Sequence, residues 1–258
     1  MYTLGIDIGS TTSKCAVIKD GKELVAHSLQ TGGLGTGGPE EAMAQLWQSC
    51  GLTRQDMACA FVTGYGRKNY EGADGEISEL TAHALGGRFV FPDLRTVIDI
   101  GGQDAKVIAL SPSGKMVNFV MNDKCAAGTG RFLDVMASIL RLDVDALDTE
   151  AAKATAPAAI SSTCTVFAES EVISQLANGT KRPDLVAGIC QSVATRVASL
   201  ARRAGIVERV CMSGGVARNE AVRRYMAQAL DAEISYDPLA QYFGAIGAAL
   251  YAWKQANK

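Results

Sequence analysis

Two stretches of this chain follow one plan, and that duplication limits its fold more than any other feature. Residues 4–28 and 96–121 each read as a short apolar strand, an aspartate, a glycine-containing turn, a second strand, a tight turn and a third strand. In the first copy, Leu4 to Ile8 stops at Gly9, Cys15 to Ile18 resumes the strand, and Asp20-Gly21 carries a two-residue hairpin signal before Glu23 to Ser28. In the second, Thr96 to Ile100 ends in Gly101-Gly102-Gln103-Asp104, Ala105 to Leu110 continues it, and Pro112-Ser113-Gly114 turns into Lys115 to Met121. A chain of 258 residues has room for two such lobes.

Between and after the copies the pattern changes period. TGGLGTGG (31–38) leads to a helix over 39–50 with proline in its first turn, Cys59 to Thr63 reads as a strand ending in Gly64-Tyr65-Gly66, and 76–85 reads as a helix. Helical patterns follow at 130–140, 166–177 and 185–204. A strand at 207–212, a helix at 216–230, a short strand near 233–236 and a last helix at 243–253 complete the chain. Strands alternating with helices predict an α/β fold with mixed sheets, with an N-terminal lobe over 1–93 and a C-terminal lobe over 94–258.

Charge and composition narrow the partners. Lys+Arg 25 against Asp+Glu 27 leaves a formal charge of −2, which supplies no basic field for a nucleic acid backbone. No apolar run approaches the roughly 18 residues that span a bilayer, and MYTLGIDIGS lacks a basic export signal, so a cytoplasmic location away from membranes is expected. Seven cysteines without an export signal argue against a disulfide framework, and none forms a C-x-x-C pair.

Each repeat puts an aspartate at a strand end, followed by glycine and hydroxyl or amide side chains on a turn. Glycine lets backbone N–H groups approach phosphate oxygens, hydroxyls add donors, and an aspartate can hold magnesium. The candidate phosphate ligands are therefore Gly9, Ser10, Thr11, Thr12 and the cation Lys14, with Gly101, Gly102 and Gln103 in the second copy; Asp7 and Asp99 are the candidates for Mg²⁺. A third glycine turn, Ser213-Gly214-Gly215, opens the helical pattern at 216, where a helix dipole favours an anion or a nucleotide edge. The order DIGSTTSK (7–14), DIGGQD (99–104), MSGGVARN (212–219) and QYFGAIGAAL (241–250) resembles the actin, Hsp70 and sugar-kinase superfamily, a duplicated two-lobe, ribonuclease H-like ATPase fold. That resemblance implies ATP or ADP in a cleft between lobes, with Gly214, Gly215 and Asn219 facing the adenosine and the Gly244/Gly247 helix at the hinge. It also suggests Gln103, by analogy with other nucleotide hydrolases, as the residue that orients the attacking water, with Asp104 beside it in the catalytic turn.

Two cysteines carry the remaining signal. Cys125 lies in NDKCAAGTGRFL (122–133) and Cys164 in SSTCTVFAESEV (161–172), each expected at a helix N-terminus that favours anionic sulfur. Two thiolates are half of what a 4Fe–4S cluster requires, and a two-fold homodimer would supply the rest; buried inert thiols are the plainer alternative. Together with DIGSTTSK and DIGGQD, these motifs closely resemble the ATPase activators of 2-hydroxyacyl-CoA dehydratases, grouped with the benzoyl-CoA reductase ATPase subunits in the BadF/BadG/BcrA/BcrD family. The resemblance implies one 4Fe–4S cluster shared between two subunits by Cys125 and Cys164 of each. It further implies a ferredoxin or flavodoxin as electron donor and a 2-hydroxyacyl-CoA dehydratase as acceptor in anaerobic fermentation, with ATP hydrolysis changing the lobe angle. The alternatives are an ATPase subunit of a benzoyl-CoA reductase-type complex, a small-molecule kinase using Asp123 as base, and an actin-like assembly protein. The other five cysteines read as core or surface thiols, Met212 as packing, Arg131 and Arg141 as surface, and His83 with Glu79 as a helix-surface contact.

Overall fold

In the computed structural model, which describes residues 1–161 and 164–258, the chain forms two compact units. The first comprises Met1–Leu94, Leu110–Met116 and Asp237–Lys258; the second comprises Arg95–Ala109 and Val117–Tyr236. By these contacts the last helix of the chain counts with the first unit.

The first unit is a five-stranded sheet ordered β3-β2-β1-β4-β5. Its strands are β1 (Tyr2–Ile8), β2 (Thr12–Lys19), β3 (Glu23–Thr31), β4 (Met57–Thr63) and β5 (Gly75–Glu76), and its helices are α1 (Gly38–Cys50), α2 (Glu79–Val90) and α8 (Phe243–Ala256). Asp20 and Gly21 both take positive φ (53° and 68°), the primed turn that the Asp-Gly pair predicts between β2 and β3. Strand alternation then sorts the side chains between two covers. Leu4, Ile6, Ile8, Cys15 and Val17 pack with Ala42 and Leu46 of α1, whereas Ala16 and Ile18 pack with Ala245, Ile246 and Ala249 of α8.

The second unit repeats the plan with sheet order β10-β9-β6-β7-β8. Its strands are β6 (Thr96–Ile100), β7 (Ala105–Leu110), β8 (Met116–Asn122), β9 (Val210–Ser213) and β10 (Ile234–Ser235). Its helices are α3 (Gly130–Ile139), α4 (Leu147–Ala151), α5 (Thr165–Ala177), α6 (Arg182–Ala204) and α7 (Glu220–Leu230). In both units the first strand pairs antiparallel with the second and parallel with a later one, β1 with β4 and β6 with β9. One core cluster joins Ile98, Ile100 and Val107 to Phe132, Met136, Val193, Val197 and Met212.

The expected helix over 216–230 is split. A 3-10 turn occupies Gly215–Arg218, and α7 starts only after Asn219, whose Oδ1 accepts the Val222 amide at 2.9 Å as the N-cap. Glycine turn and helix N-terminus are therefore separated by that extra turn. Among the described residues no helix is long and apolar enough to cross a membrane.

Candidate functional site: paired aspartate turns and two exposed cysteines

The repeat aligns two aspartate–lysine pairs. Across β1 and β2, Asp7 faces Lys14; across β6 and β7, Asp99 faces Lys106. Both lysine ammoniums lie 3.4 Å from Oδ2 of their aspartate. Asp7, Asp99 and Lys106 are buried, so each pair removes a charge that would otherwise stand uncompensated in low dielectric. Lys106 also reaches Asp104 at 2.8 Å, so the aspartate at the end of the second turn is held by the same ammonium. Sequence reasoning singled out Lys14 and passed over Lys106. The signal was present, since positions 7 and 14 in one copy and 99 and 106 in the other have the same spacing.

The turns themselves match. Gly9 donates its amide to the Thr12 carbonyl at 3.0 Å, and Gly101 donates to the Asp104 carbonyl at 2.9 Å. Gly33 lies against the Gly9 carbonyl, and Gly32 donates to the Thr11 carbonyl at 2.8 Å, so the 31–38 loop braces the first turn. Ser10, Thr12, Gly101 and Gly102 are partly exposed, and Thr11 and Gln103 are exposed.

Behind each aspartate stands a glycine with positive φ, Gly64 at 90° and Gly214 at 82°. A Cβ on Gly64 would lie 2.6 Å from Asp7 Oδ1, and one on Gly214 would lie 3.0 Å from Asp99 Oδ1. The residue before each glycine carries a hydroxyl and pairs with the aspartate, Thr63 with Asp7 and Ser213 with Asp99. Ser213 Oγ donates to Asp99 Oδ1 at 2.8 Å, whereas Thr63 Oγ1 is buried without a hydrogen-bond partner. The two sites are thus copies in backbone and charge but not in hydroxyl bonding.

The first site carries groups that the sequence reading placed elsewhere. His83 is buried rather than on a helix surface, and a Cβ on Gly244 would lie 2.6 Å from Asp7 Oδ2 and 3.2 Å from His83 Nε2. Glycine at 244 lets α8 approach that carboxylate and imidazole together. Glu79 pairs with Arg67 at 3.3 Å, and Arg67 also donates to the Gly64 carbonyl at 3.0 Å. Helical spacing alone could not show that α8 covers His83.

The cysteines divide sharply. Cys125 and Cys164 are exposed, while Cys15, Cys59, Cys190 and Cys211 are buried and Cys50 is intermediate. Burial pushes the thiols of Cys15 and Cys190 up to about 12, and that of Cys211 still higher, which leaves them protonated and inert. Cys164 is the N-cap of α5, as expected, and its carbonyl accepts the Ala168 amide at 2.9 Å. Ser162 and Thr163, part of that motif, lie outside the described residues. Cys125 does not sit at a helix start: Gly128 turns the chain with φ 89°, Thr129 is the N-cap, and α3 begins at Gly130. The first α3 amides are already engaged, Gly130 donating to the Gly101 carbonyl at 2.9 Å and Arg131 to the Gly102 carbonyl at 2.8 Å. The Cys125 loop is thereby bonded to the second glycine turn. Asn122 donates Nδ2 to the Cys125 carbonyl at 2.9 Å, and Asp123, the candidate kinase base, is exposed. α3 and α5, which follow the two cysteines, pack against each other.

A family model described as the BadF/BadG/BcrA/BcrD ATPase family matches residues 4–252. The chain belongs to the BadF/BadG/BcrA/BcrD ATPase family. It is 58% identical over 259 residues to the (R)-2-hydroxyglutaryl-CoA dehydratase activating ATPase of Acidaminococcus fermentans, covering 100% of this chain and 99% of that one. The solved structure of the activator of the 2-hydroxyisocaproyl-CoA dehydratase from Clostridium difficile with bound ADPNP is 52% identical, with a TM-score of 0.97 over 100% of this chain and 96% of that one. A ROK family glucokinase from Streptomyces griseus, 15% identical with a TM-score of 0.61 over 98% of this chain and 100% of that one, shares the fold alone. This member of the ATPase family accordingly has the two-lobe architecture that also serves sugar kinases.

Proposed function

We propose that the chain is an ATP-hydrolysing activator that passes one electron at a time to a 2-hydroxyacyl-CoA dehydratase. The observation that carries the reading is the pair of hydrogen bonds from Gly130 and Arg131 to the Gly101 and Gly102 carbonyls. Through them a turn suited to phosphate and the loop bearing Cys125 form one bonded piece. A change in the turn on nucleotide binding then shifts the start of α3, and α5 with it, through packed contacts that rearrange rather than stretch.

In this reading the amides and hydroxyls of Gly9, Ser10, Thr11 and Thr12 and of Gly101, Gly102 and Gln103 bind the phosphates of ATP, while Gly214, Gly215 and Asn219 approach the nucleoside. Asp7 and Asp99, each 3.4 Å from a lysine ammonium, would hold Mg²⁺, which would neutralise phosphate charge. Gln103, exposed on its turn, is the group to orient the hydrolytic water, with Asp104 beside it held by Lys106.

Cys125 and Cys164 fit a shared 4Fe–4S cluster because both are exposed, while Cys50 is intermediate and the other four cysteines are buried. A bound cluster would supply a one-electron store; the chain's own share is two thiolates and the surface around them. Phe119 and Met121 on β8, which leads to Cys125, and Val166 and Phe167, which follow Cys164, are exposed apolar side chains. A second copy meeting this one about a two-fold axis would cover them and complete four thiolates. Low-potential reduction by a ferredoxin or flavodoxin belongs to the same proposal. A push of about 300 mV on one electron corresponds to roughly 7 kcal/mol, a scale that nucleotide hydrolysis can meet.

Anaerobic purification tests the proposal. About four irons and four sulfides per two chains are expected, with brown absorption lost in both C125S and C164S while ATP binding persists. Iron retained in C164S, or an iron-free wild-type protein with full dehydratase activation, overturns it.

A further inference from the structure

Cys164 is reached through a connector, residues 155–161, that is tied down at both ends. At its start, Asp184 in the first turn of α6 accepts the Thr155 amide at 2.7 Å and the Ala156 amide at 3.1 Å, and its main-chain carbonyl accepts the Ala158 amide at 2.8 Å. Those backbone donors hold the Asp184 carboxyl below the ordinary aspartate value. The connector runs so close over α6 that only glycine fits at 188, where a Cβ would meet the Ala158 backbone.

At its far end the connector is held by α5 itself. Glu171 accepts the Ser161 amide on both carboxylate oxygens, at 2.9 and 3.2 Å, and the Ser161 hydroxyl at 3.0 Å. One turn further on, Gln175 donates Nε2 to the Ala159 carbonyl at 2.7 Å. Positions 164 and 171 are two helical turns apart and share a face of α5. The carboxylate therefore reaches back along its own helix to the chain entering Cys164, closing a ring whose members are Ser161, Cys164 and Glu171. Ala158 and Ile160 also pack against the core of this unit, and a cavity of about 420 Å³ lined by Ala159–Ser161 and by Gly188, Gln191 and Arg196 of α6 opens beside the connector.

We propose that Glu171 is a positioning residue for Cys164: it fixes where the sulfur points by holding Ser161, and it makes no contact with cluster or nucleotide. The inference rests on the reading of Cys164 as a cluster ligand, yet the ring can be tested without a cluster. In full-length apoprotein carrying C125S, the labelling rate of Cys164 by a maleimide reports its freedom. E171A removes the acceptors for the Ser161 amide and hydroxyl and is expected to change that rate by about tenfold, the effect of a charge-assisted hydrogen bond. E171Q retains an acceptor for the Ser161 amide and is expected to stay within about threefold of the parent. If E171A does not fold by far-UV circular dichroism, S161A removes the hydroxyl arm alone and is expected to change the rate about threefold.

In the anaerobically loaded protein, E171A should alter the electron paramagnetic resonance line shape of the reduced state, and E171Q should restore it. A folded E171A or S161A that labels at the parental rate overturns the role of Glu171. A wild-type chain that binds no iron overturns the cluster reading, and the labelling rates still decide the ring.

Discussion

Replacing Lys106 with methionine separates the structural and electrostatic parts of the duplicated site. Its side chain is 6% exposed and its ammonium serves two carboxylates, Asp99 at 3.4 Å (4% exposed) and Asp104 at 2.8 Å (30% exposed). Methionine keeps most of the volume, so the perturbation is loss of the charge. Removing one partner of a buried pair costs about 3–5 kcal/mol, because a charge is left in low dielectric. Here the lower end applies, about 3 kcal/mol, since Ser213 still donates to Asp99 at 2.8 Å and Asp104 is partly solvated. Against a total stability of about 5–15 kcal/mol the variant remains folded. Urea unfolding of nucleotide-free protein at pH 8 measures the loss, and D99N/K106M is expected to regain about 1–2 kcal/mol of it by removing the stranded charge. The deficit should also shrink as the pH is lowered from 8 to 5. Without the ammonium, a buried carboxylate takes up a proton that the unfolded chain does not, so the folded form gains stability on acidification. A K106M protein within about 1 kcal/mol of wild type, or a double variant no better than the sum of the singles, refutes the argument.

Two further outcomes follow from the same geometry. G214A should cost clearly more than G35A: both positions have positive φ (82° and 80°), but only the Gly214 Cβ meets backbone and Asp99, while Gly35 has open space. The expected difference is about 1–3 kcal/mol in urea unfolding, with loss of ATPase activity confined to G214A; equal losses would remove the steric reason for that glycine. Hydrogen bonds from Lys153 and Arg182 hold the Glu150 carboxyl below its ordinary value of 4.5. A depressed acid contributes stability above its unfolded value and loses it as pH falls, so wild type should lose stability more steeply than E150Q below about pH 4.5. Parallel acid unfolding curves for the two proteins would show that this pair does not act in the folded state.

Much of the fold was legible because local rules suffice for it. Period-two strands, the Asp20-Gly21 turn and the proline at the start of α1 each constrain a few neighbouring residues, and each appears where those rules put it. The split before α7 was less legible: glycine and asparagine both signal a helix start, and only Asn219 accepting the Val222 amide shows which one caps. His83 was expected on a helix surface because spacing along α2 does not show what covers it, whereas its burial beside Asp7 depends on where α8 lies. Cys125 was set one turn too near its helix for a related reason. The positive φ of Gly128 and the Thr129 cap absorb the residues between.

What the sequence determined by itself was the duplication, the aspartate turns and the oddity of two cysteines in glycine- and hydroxyl-rich motifs. These are properties of spacing and residue type, and they survive without coordinates. Only the tertiary structure decided which thiols reach solvent, that Lys106 repeats Lys14, and that α3 begins on the carbonyls of the second glycine turn. Burial, ion pairing and long-range hydrogen bonds join residues far apart in the chain, and local spacing does not encode those distances.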